Sequence, residues 1–221
     1  MLRIPPSAIR RLSDYYRVLE DLEAEGMRMV SSQELAHRSG VTSAQVRKDL
    51  SYFGAFGKRG LGYSVPSLRK ELRLILGLNR HWKVALVGAG NLGSALYSYK
   101  DFHRQGFDIV AVFDVSPRRV GRRWRDVTIR HIDRLPAEVG RLGIEIGVIV
   151  VPARSAQAVA DRLVAAGVRA ILNFARRRLF VPPSVSLRNV NLSLELEGLA
   201  FAAKTAAARP SRRAAPRARA G

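Results

Sequence analysis

The chain of 221 residues contains no cysteine and four histidines, and its 38 Lys and Arg residues outnumber 18 Asp and Glu residues. The absence of cysteine excludes disulfides, thiolate metal sites and cysteine redox chemistry. No apolar run approaches the roughly 18 residues of a membrane span, and the N-terminus lacks a signal-peptide pattern. We therefore expect a cytoplasmic protein that does not bind membranes and is long enough for two modest domains or one large one.

The positive charge, formally +20, is spread over the whole chain and is not confined to one tail. Such a charge favours polyanions, nucleic acid among them, and makes their association sensitive to salt. High arginine usage that reflects base composition is the alternative explanation. Charge alone therefore does not decide the function.

A glycine-rich turn follows the apolar run 84–87, with three glycines spaced G-x-G-x-x-G. In a strand–turn–helix unit this spacing lets the backbone approach a pyrophosphate, which the helix N-terminus then binds. A second apolar run, 107–113, ends at an acidic residue that can accept the hydroxyls of a ribose. A glycine-rich turn without a ligand is the alternative. The predicted dinucleotide residues here are Gly88, Ala89, Gly90, Asn91, Leu92, Gly93 and Asp114.

The N-terminal part predicts a helix-turn-helix. Apolar residues at spacings of three and four indicate a first helix with Ser7 as its N-cap, reaching about Glu25. Two capping boxes, at 31–34 and 42–45, then open a helix over about 32–38 and another that runs to about Phe53. A purely structural pair of helices is the alternative. The residues predicted to bond bases and phosphates in a major groove are Ser43, Gln45, Arg47, Lys48, Ser51 and Tyr52.

Residues 54–65 predict the β-hairpin wing of a winged helix, with Lys58 and Arg59 near its tip. A basic hairpin tip beside a recognition helix suits the minor groove or its phosphates, whereas a solvated tip is the structural alternative. A further helix is expected over about 68–76, and a domain boundary near residue 80.

Beyond that boundary, strands and helices alternate, which predicts an α/β fold with a doubly wound, Rossmann-like parallel sheet. The expected elements are strands at 83–87, 108–113, 144–151 and 170–174, with helices at 91–100 and 156–166. Ligands bind outside the carboxyl ends of such strands. The candidates for the far half of the dinucleotide are Tyr99, Val151, Pro152, Asn173 and Phe174.

The C-terminal part is ambiguous between strand and helix. We expect a short strand to about Asn191 and then a helix, followed from Arg209 by a basic, low-complexity and disordered tail. The predicted division is a winged helix at 1–80, a dinucleotide domain at 81–191, a C-terminal helix at 192–206 and a tail at 207–221.

The segment 45–54, QVRKDLSYFG, the loop 88–96, GAGNLGSAL, and the strand 171–175, ILNFA, resemble Rex, the redox-sensing transcriptional repressor family. The resemblance covers about residues 5–203. It implies a homodimer that binds an inverted-repeat DNA operator, is released by NADH, and binds NAD⁺ without effective release. It also implies a C-terminal helix that is exchanged between subunits.

Two positions depart from the usual pattern of the Rex family. Asn191 stands where members commonly carry Asp, at a position that resembles one pairing across the dimer with an arginine of the first helix, here Arg17. The usual Ala-Pro after Asn-Phe is here Ala175-Arg176. The first departure bears on the inter-subunit switch contact and leaves the expected fold unchanged.

An apolar pocket in a basic protein penalises the cationic ring of NAD⁺ and accepts the neutral ring of NADH. We expect Asp114 to favour NAD(H) over NADP(H), although Arg118 and Arg119 lie close to it in sequence. A dehydrogenase with an accessory N-terminal domain is the rival hypothesis, and a DNA-architectural protein is a third. An oxidoreductase needs an acid or base near the nicotinamide. His37 lies in the helix-turn-helix and His81 in the linker, and neither His103 nor His131 has an evident acidic partner or substrate-binding segment. We therefore expect no enzyme, no catalytic residue and no metal.

Overall fold

The computed structural model describes residues 4–58 and 60–207. The described chain divides into two compact units, the first comprising residues 4–81 with 104–106 and the second residues 82–103 with 107–207. Among the described residues, no helix is long and apolar enough to cross a membrane. Arg59 and the predicted tail beyond residue 207 lie outside the described residues.

The first unit is a winged helix. Its elements are α1 (Pro6–Ala24), β1 (Met29–Val30), α2 (Ser32–Arg38), α3 (Ser43–Ser51), β2 (Gly57–Lys58), β3 (Gly62–Ser64) and α4 (Val65–Ile75). Both predicted N-caps of the helix-turn-helix are confirmed. Ser31 Oγ accepts a hydrogen bond from Glu34 N at 3.0 Å, and Thr42 Oγ1 accepts one from Gln45 N at 3.1 Å. The predicted Ser7 cap is wrong, because α1 begins after Pro5 without a side-chain cap and proline suits the first turn sterically.

A three-stranded antiparallel sheet in the order β1–β3–β2 forms the wing. The pattern did not predict β1, since two residues become a strand only through their pairing with β3. Gly62 has φ +80°, and a Cβ there would collide with the Val30 carbonyl oxygen. The core beneath the wing is continuous, with Leu12, Leu19, Leu50 and Leu72 nearly inaccessible to solvent.

The second unit is a doubly wound α/β domain. Its elements are β4 (Trp82–Val87), α5 (Asn91–Ser98), α6 (Lys100–Arg104), β5 (Phe107–Asp114), β6 (Arg123–Trp124), β7 (Val127–His131), a 3-10 turn (Ile132–Arg134), α7 (Leu135–Leu142), β8 (Ile146–Ile149), α8 (Ala153–Ala165), β9 (Ala170–Asn173), β10 (Ser186–Asn189) and α9 (Leu192–Ala207). The segment containing β6, β7 and α7 was not predicted.

The seven strands lie in the order β10-β9-β8-β4-β5-β7-β6, parallel throughout except for β6 at the edge. Alternate residues of β4 enter different cores, as a period of two requires. Ala85 and Val87 pack on the side that includes Leu135 and Leu163, and Val84 and Leu86 pack on the side that includes Leu96 and Tyr97. The predicted fold class, a winged helix followed by a Rossmann-like domain and a C-terminal helix, is confirmed.

Candidate dinucleotide cleft and nucleic-acid surface

The three loop glycines differ in what a side chain at each position would meet. Gly88 has φ +110°, and a Cβ there would lie 2.5 Å from the Val150 carbonyl oxygen. A Cβ at Gly93 would overlap the Gly88 carbonyl, so Gly93 lets α5 pack against the turn. A Cβ at Gly90 would meet no atom within 4 Å. The space above Gly90, at the N-terminus of α5, is therefore open, and the loop fits a dinucleotide pyrophosphate.

Asp114 ends β5 beside this loop and is 7% exposed. Its Oδ2 accepts from Ala89 N at 2.7 Å and from Arg119 Nη1 at 3.2 Å, and its Oδ1 accepts from Ser116 N at 2.8 Å. Burial by itself raises the pKa of Asp114, but the hydrogen bonds from Ser116, Ala89 and Arg119 outweigh it and hold that pKa below its usual value. Asp114 is therefore ionised at neutral pH.

This arrangement occupies the backbone N–H of Ala89. Its N–H donates to the Asp114 carboxylate, and Ala89 is 6% exposed. Ala89 thus fixes the position of Asp114 and does not offer its N–H group to a ligand.

A cleft of about 390 Å³ opens along the carboxyl ends of β4, β5 and β8. Its lining includes Gly88, Gly90, Asp114, Val151 and Pro152, which the structure thereby brings together as the sequence predicted. Four polar or charged lining residues were not predicted as ligands: Ser116, Arg119, Arg154 and Ser155. Arg154 and Ser155 lie in the first turn of α8. The strand-to-helix turn after Pro152 was the available signal.

Tyr99, Asn173 and Phe174 do not line this cleft. Asn173 is fully buried, and its Nδ2 donates to the carbonyls of Ala175 and Arg177 and to Asn189 Oδ1. Its Oδ1 accepts from Ala175 N. The amide of Asn173 therefore joins β9, β10 and the following loop, and its contact with a cofactor stays a prediction.

The other two residues have other neighbours. Phe174 packs partly buried in the core that includes Val84 and Leu172. Tyr99 is 53% exposed, and its ring meets Phe102 edge-on at 5.2 Å between ring centroids.

Two histidines have acidic neighbours, contrary to expectation. His103 Nδ1 lies 2.5 Å from Asp108 Oδ1, and His131 Nδ1 lies 3.0 Å from Asp133 Oδ2. Neither histidine lines the cleft at Asp114. Asp133 also binds Arg162 Nη1 at 2.7 Å. His131, Asp133 and Arg162 thus form an ion-pair cluster on the surface.

On the winged helix, α3 exposes Arg47, Lys48 and Ser51, as the sequence predicted, whereas Tyr52 is half-buried. Ser43 and Gln45, which were predicted to contact DNA with them, are half-buried. Gln45 Nε2 donates to Asp49 Oδ1 at 2.8 Å. The sequence pattern does not predict this bond.

A groove of about 800 Å³ runs between the start of α2, α3 and the wing. Arg47 lines it and donates to Ser32 Oγ at 3.0 Å. Ser32 and Gln33 also line it, whereas their capping box predicts only the start of a helix. Arg59 lies outside the described residues, as does the side chain of Lys58.

The two predicted switch residues lie in separate units. Arg17 is exposed on α1. Asn191 Oδ1 accepts from Ser193 N at 3.1 Å, which caps the start of α9. Asparagine and aspartate are both good N-caps, so the departure from the family's Asp preserves this local role.

Comparisons with known proteins match the N-terminal and the central part of the chain to different families. Residues 3–51 match the family described as "Putative DNA-binding protein N-terminus", and residues 79–176 match the family described as "CoA binding domain". The redox-sensing transcriptional repressor Rex of Thermus thermophilus is 50% identical over 202 residues, which cover 91% of this chain and 94% of that protein. The chain belongs to the Rex family.

Other Rex-family proteins match over similar lengths. The Rex repressor of Carboxydothermus hydrogenoformans is 51% identical over 90% of this chain and 96% of its own. The crystal structure of RSP, a Rex-family repressor, in complex with NAD⁺ and operator DNA has a TM-score of 0.88 at 39% identity, covering 93% of this chain and 95% of RSP. RSP in complex with NADH gives 0.85 at 38% identity, with 93% and 97% covered. These relatives are transcriptional repressors, which confirms the prediction that the chain is not an enzyme.

Proposed function

We propose that this chain is a DNA-binding transcriptional repressor that senses the ratio of NADH to NAD⁺. As a homodimer it binds an inverted-repeat operator in double-stranded DNA, and NADH binding releases it. The observation that carries the proposal is one chain with both an open glycine cleft at Asp114 and a helix-turn-helix that exposes Arg47 and Lys48. Since its target is operator DNA, the repressor acts in the cytoplasm.

The redox state of the ligand acts through charge. A bound dinucleotide supplies a nicotinamide ring that is cationic when oxidised and neutral when reduced. Val150, Val151 and Pro152 give the cleft an apolar side, and Arg154 adds a positive charge at its margin. Both features disfavour the cationic ring relative to the neutral one. A ligand shifts a two-state equilibrium only through such a difference in affinity.

Asp114 selects the adenosine half. Its ionised carboxylate accepts ribose hydroxyls and repels a 2′-phosphate, so NAD(H) is favoured over NADP(H). Arg119 Nη1 lies 3.2 Å from the carboxylate, and its positive charge reduces the repulsion of a 2′-phosphate. The carboxylate remains the group that accepts the ribose hydroxyls.

The homodimer is supported by α9. Leu192, Leu196 and Leu199 share one face of this helix and are each more than 60% exposed in the single chain. An apolar face of this kind marks a protein–protein contact, and exchange of α9 between subunits covers it. Asn191 at the start of α9 and Arg17 of the other subunit form the proposed switch contact, with an amide in place of the family's carboxylate.

Titration of an operator complex with NADH and with NAD⁺ tests the proposal. We expect NADH to release DNA at concentrations at which NAD⁺ does not, and NAD⁺ to raise the concentration of NADH that is needed. Equal release by both would overturn the redox-sensing function. DNA binding that responds to neither would favour the architectural alternative.

A further inference from the structure

A buried carboxylate on the recognition helix has four hydrogen bonds. Asp49 is inaccessible to solvent, and Arg11 donates to both of its oxygens, from Nε to Oδ2 at 2.6 Å and from Nη2 to Oδ1 at 2.7 Å. Tyr15 Oη donates to Oδ2 at 2.9 Å, and Gln45 Nε2 donates to Oδ1 at 2.8 Å. The first three bonds join α3 to α1. The fourth lies within α3 and has a different consequence.

The bond to Gln45 determines which way its amide faces. Burial alone raises the pKa of Asp49, but the hydrogen bonds from Arg11, Tyr15 and Gln45 outweigh it and hold that pKa below its usual value. An ionised carboxylate only accepts hydrogen bonds, so the Gln45 group that faces it is the NH₂. One N–H of Gln45 is therefore taken, while Oε1 and the second N–H stay available.

Gln45 lies in the first turn of α3, half-buried, with Arg47 and Lys48 exposed on the same helix. The N-terminal residues of a recognition helix are those that contact base edges in the major groove. There adenine offers a donor, N6, beside an acceptor, N7, whereas guanine offers two acceptors, N7 and O6. A glutamine with one acceptor and one free N–H matches adenine and cannot supply the two donors that guanine needs.

We propose that Asp49 is a positioning residue that fixes the Gln45 amide so that Gln45 reads adenine, and rejects guanine, at one position of each operator half-site. The inference rests on the proposed function, since it requires an operator. It differs from a purely structural role, in which Asp49 would only hold α3 against α1 and would affect all DNA sequences alike.

The test uses the full chain and a duplex operator selected by the wild-type chain from a random-sequence pool. Each base pair of the half-site is then replaced in turn, and affinities are measured for wild type and variants. For wild type, one A·T position loses about tenfold or more on replacement by G·C, as expected for a bidentate contact. Gln45→Met, similar in length and without a hydrogen-bonding amide, removes the discrimination at that position only.

Asp49→Asn gives the sharper result. An asparagine can turn its NH₂ toward Gln45 while its oxygen, at the Oδ2 position, still accepts from Arg11 Nε and Tyr15. The bond from Arg11 Nη2 to the Oδ1 position is then lost, and Gln45 presents two N–H groups to the DNA. We expect the preference at the same position to move from A·T toward G·C. Tyr15→Phe is the matched control, because it removes one bond to Asp49 at Oδ2 and leaves the Gln45 contact at Oδ1 intact. Its profile of base preference should equal that of wild type.

The outcomes distinguish failure of this inference from failure of the proposed repressor function. An unchanged base profile in Gln45→Met overturns the reading role of Gln45. A loss spread evenly over all positions in Asp49→Asn, equal to that in Tyr15→Phe, overturns the positioning role of Asp49. Failure of the wild-type chain to select any inverted-repeat operator would instead contradict the proposed function.

Discussion

Gly88 and Gly90 lie two residues apart in one loop, yet a side chain has different consequences at each. We expect Gly88→Ala to destabilise the second unit, because φ +110° and the Val150 carbonyl 2.5 Å from a new Cβ both oppose alanine. Gly90→Ala should fold as wild type does, since a Cβ there meets nothing within 4 Å. It should nevertheless lower the affinity for NADH at least about tenfold, because the new methyl group fills the space for the pyrophosphate. Thermal unfolding and NADH titration measure the two effects, and full NADH affinity in Gly90→Ala would contradict the assignment of the loop.

Asp49 gives the first unit a predictable response to acid. Its pKa in the folded chain lies below the ordinary value of 3.8, so the ionised carboxylate stabilises the fold above that ordinary value. This contribution declines as the pH falls through the lowered pKa of the folded state. Removing the carboxylate should cost about 3 kcal/mol at pH 7, because the charge on Arg11 loses its partner.

Amide hydrogen exchange in α1 and α3 measures this response. In Asp49→Ala, protection should be lower than in wild type at pH 7, and the difference between the two proteins should shrink toward pH 3. Asp14→Asn, at an exposed position of α1, is the control and should follow wild type at both pH values. A pH-independent difference would show that the charge of Asp49 contributes nothing.

At the scale of the elements, Thr42 begins the recognition helix. Thr42→Ala removes the acceptor for Gln45 N and should cost about 1 kcal/mol, with weaker operator binding because the first turn of α3 frays. Thr42→Ser retains the hydroxyl and should stay close to wild type. Urea unfolding combined with operator affinity measures both effects, and equal behaviour of the two variants would exclude a capping role.

The sequence predicted elements whose causes are local. The caps at Ser31 and Thr42, the glycine turn at Gly88 and the apolar run of β5 each depend on residues a few positions apart, and each is confirmed. Distant partners explain the misses. Strand β1 exists through its pairing with the wing, and Asp49 is paired with a residue 38 positions away. Asn173 reads as a ligand from its place at the end of β9, but its amide is occupied by a loop and by Asn189. The arginine-rich segment before α7 obscured the apolar period on which a prediction depends.

At the scale of the whole molecule, the exposed apolar face of α9 is the proposed contact between subunits. Leu196→Glu together with Leu199→Glu should give monomers, because a charged residue inside the proposed contact is strongly unfavourable. Operator affinity should fall at least about a hundredfold, since one winged helix then binds alone and the advantage of linked sites is lost. Glu197→Gln, exposed on the same helix, is the control and should stay dimeric. Sedimentation and operator titration measure the outcome, and a dimer that survives both glutamates would place the subunit contact elsewhere.

The same apolar helix has a consequence for the cell that makes the protein. If chains pair through α9, the operator-binding species forms by a second-order reaction, so at low abundance its amount rises with the square of the chain concentration. A twofold change in synthesis then gives roughly a fourfold change in the dimer. Gene dosage and dilution by growth would therefore influence how much NADH is needed to release the repressor from its operator, in addition to the redox state of the cell.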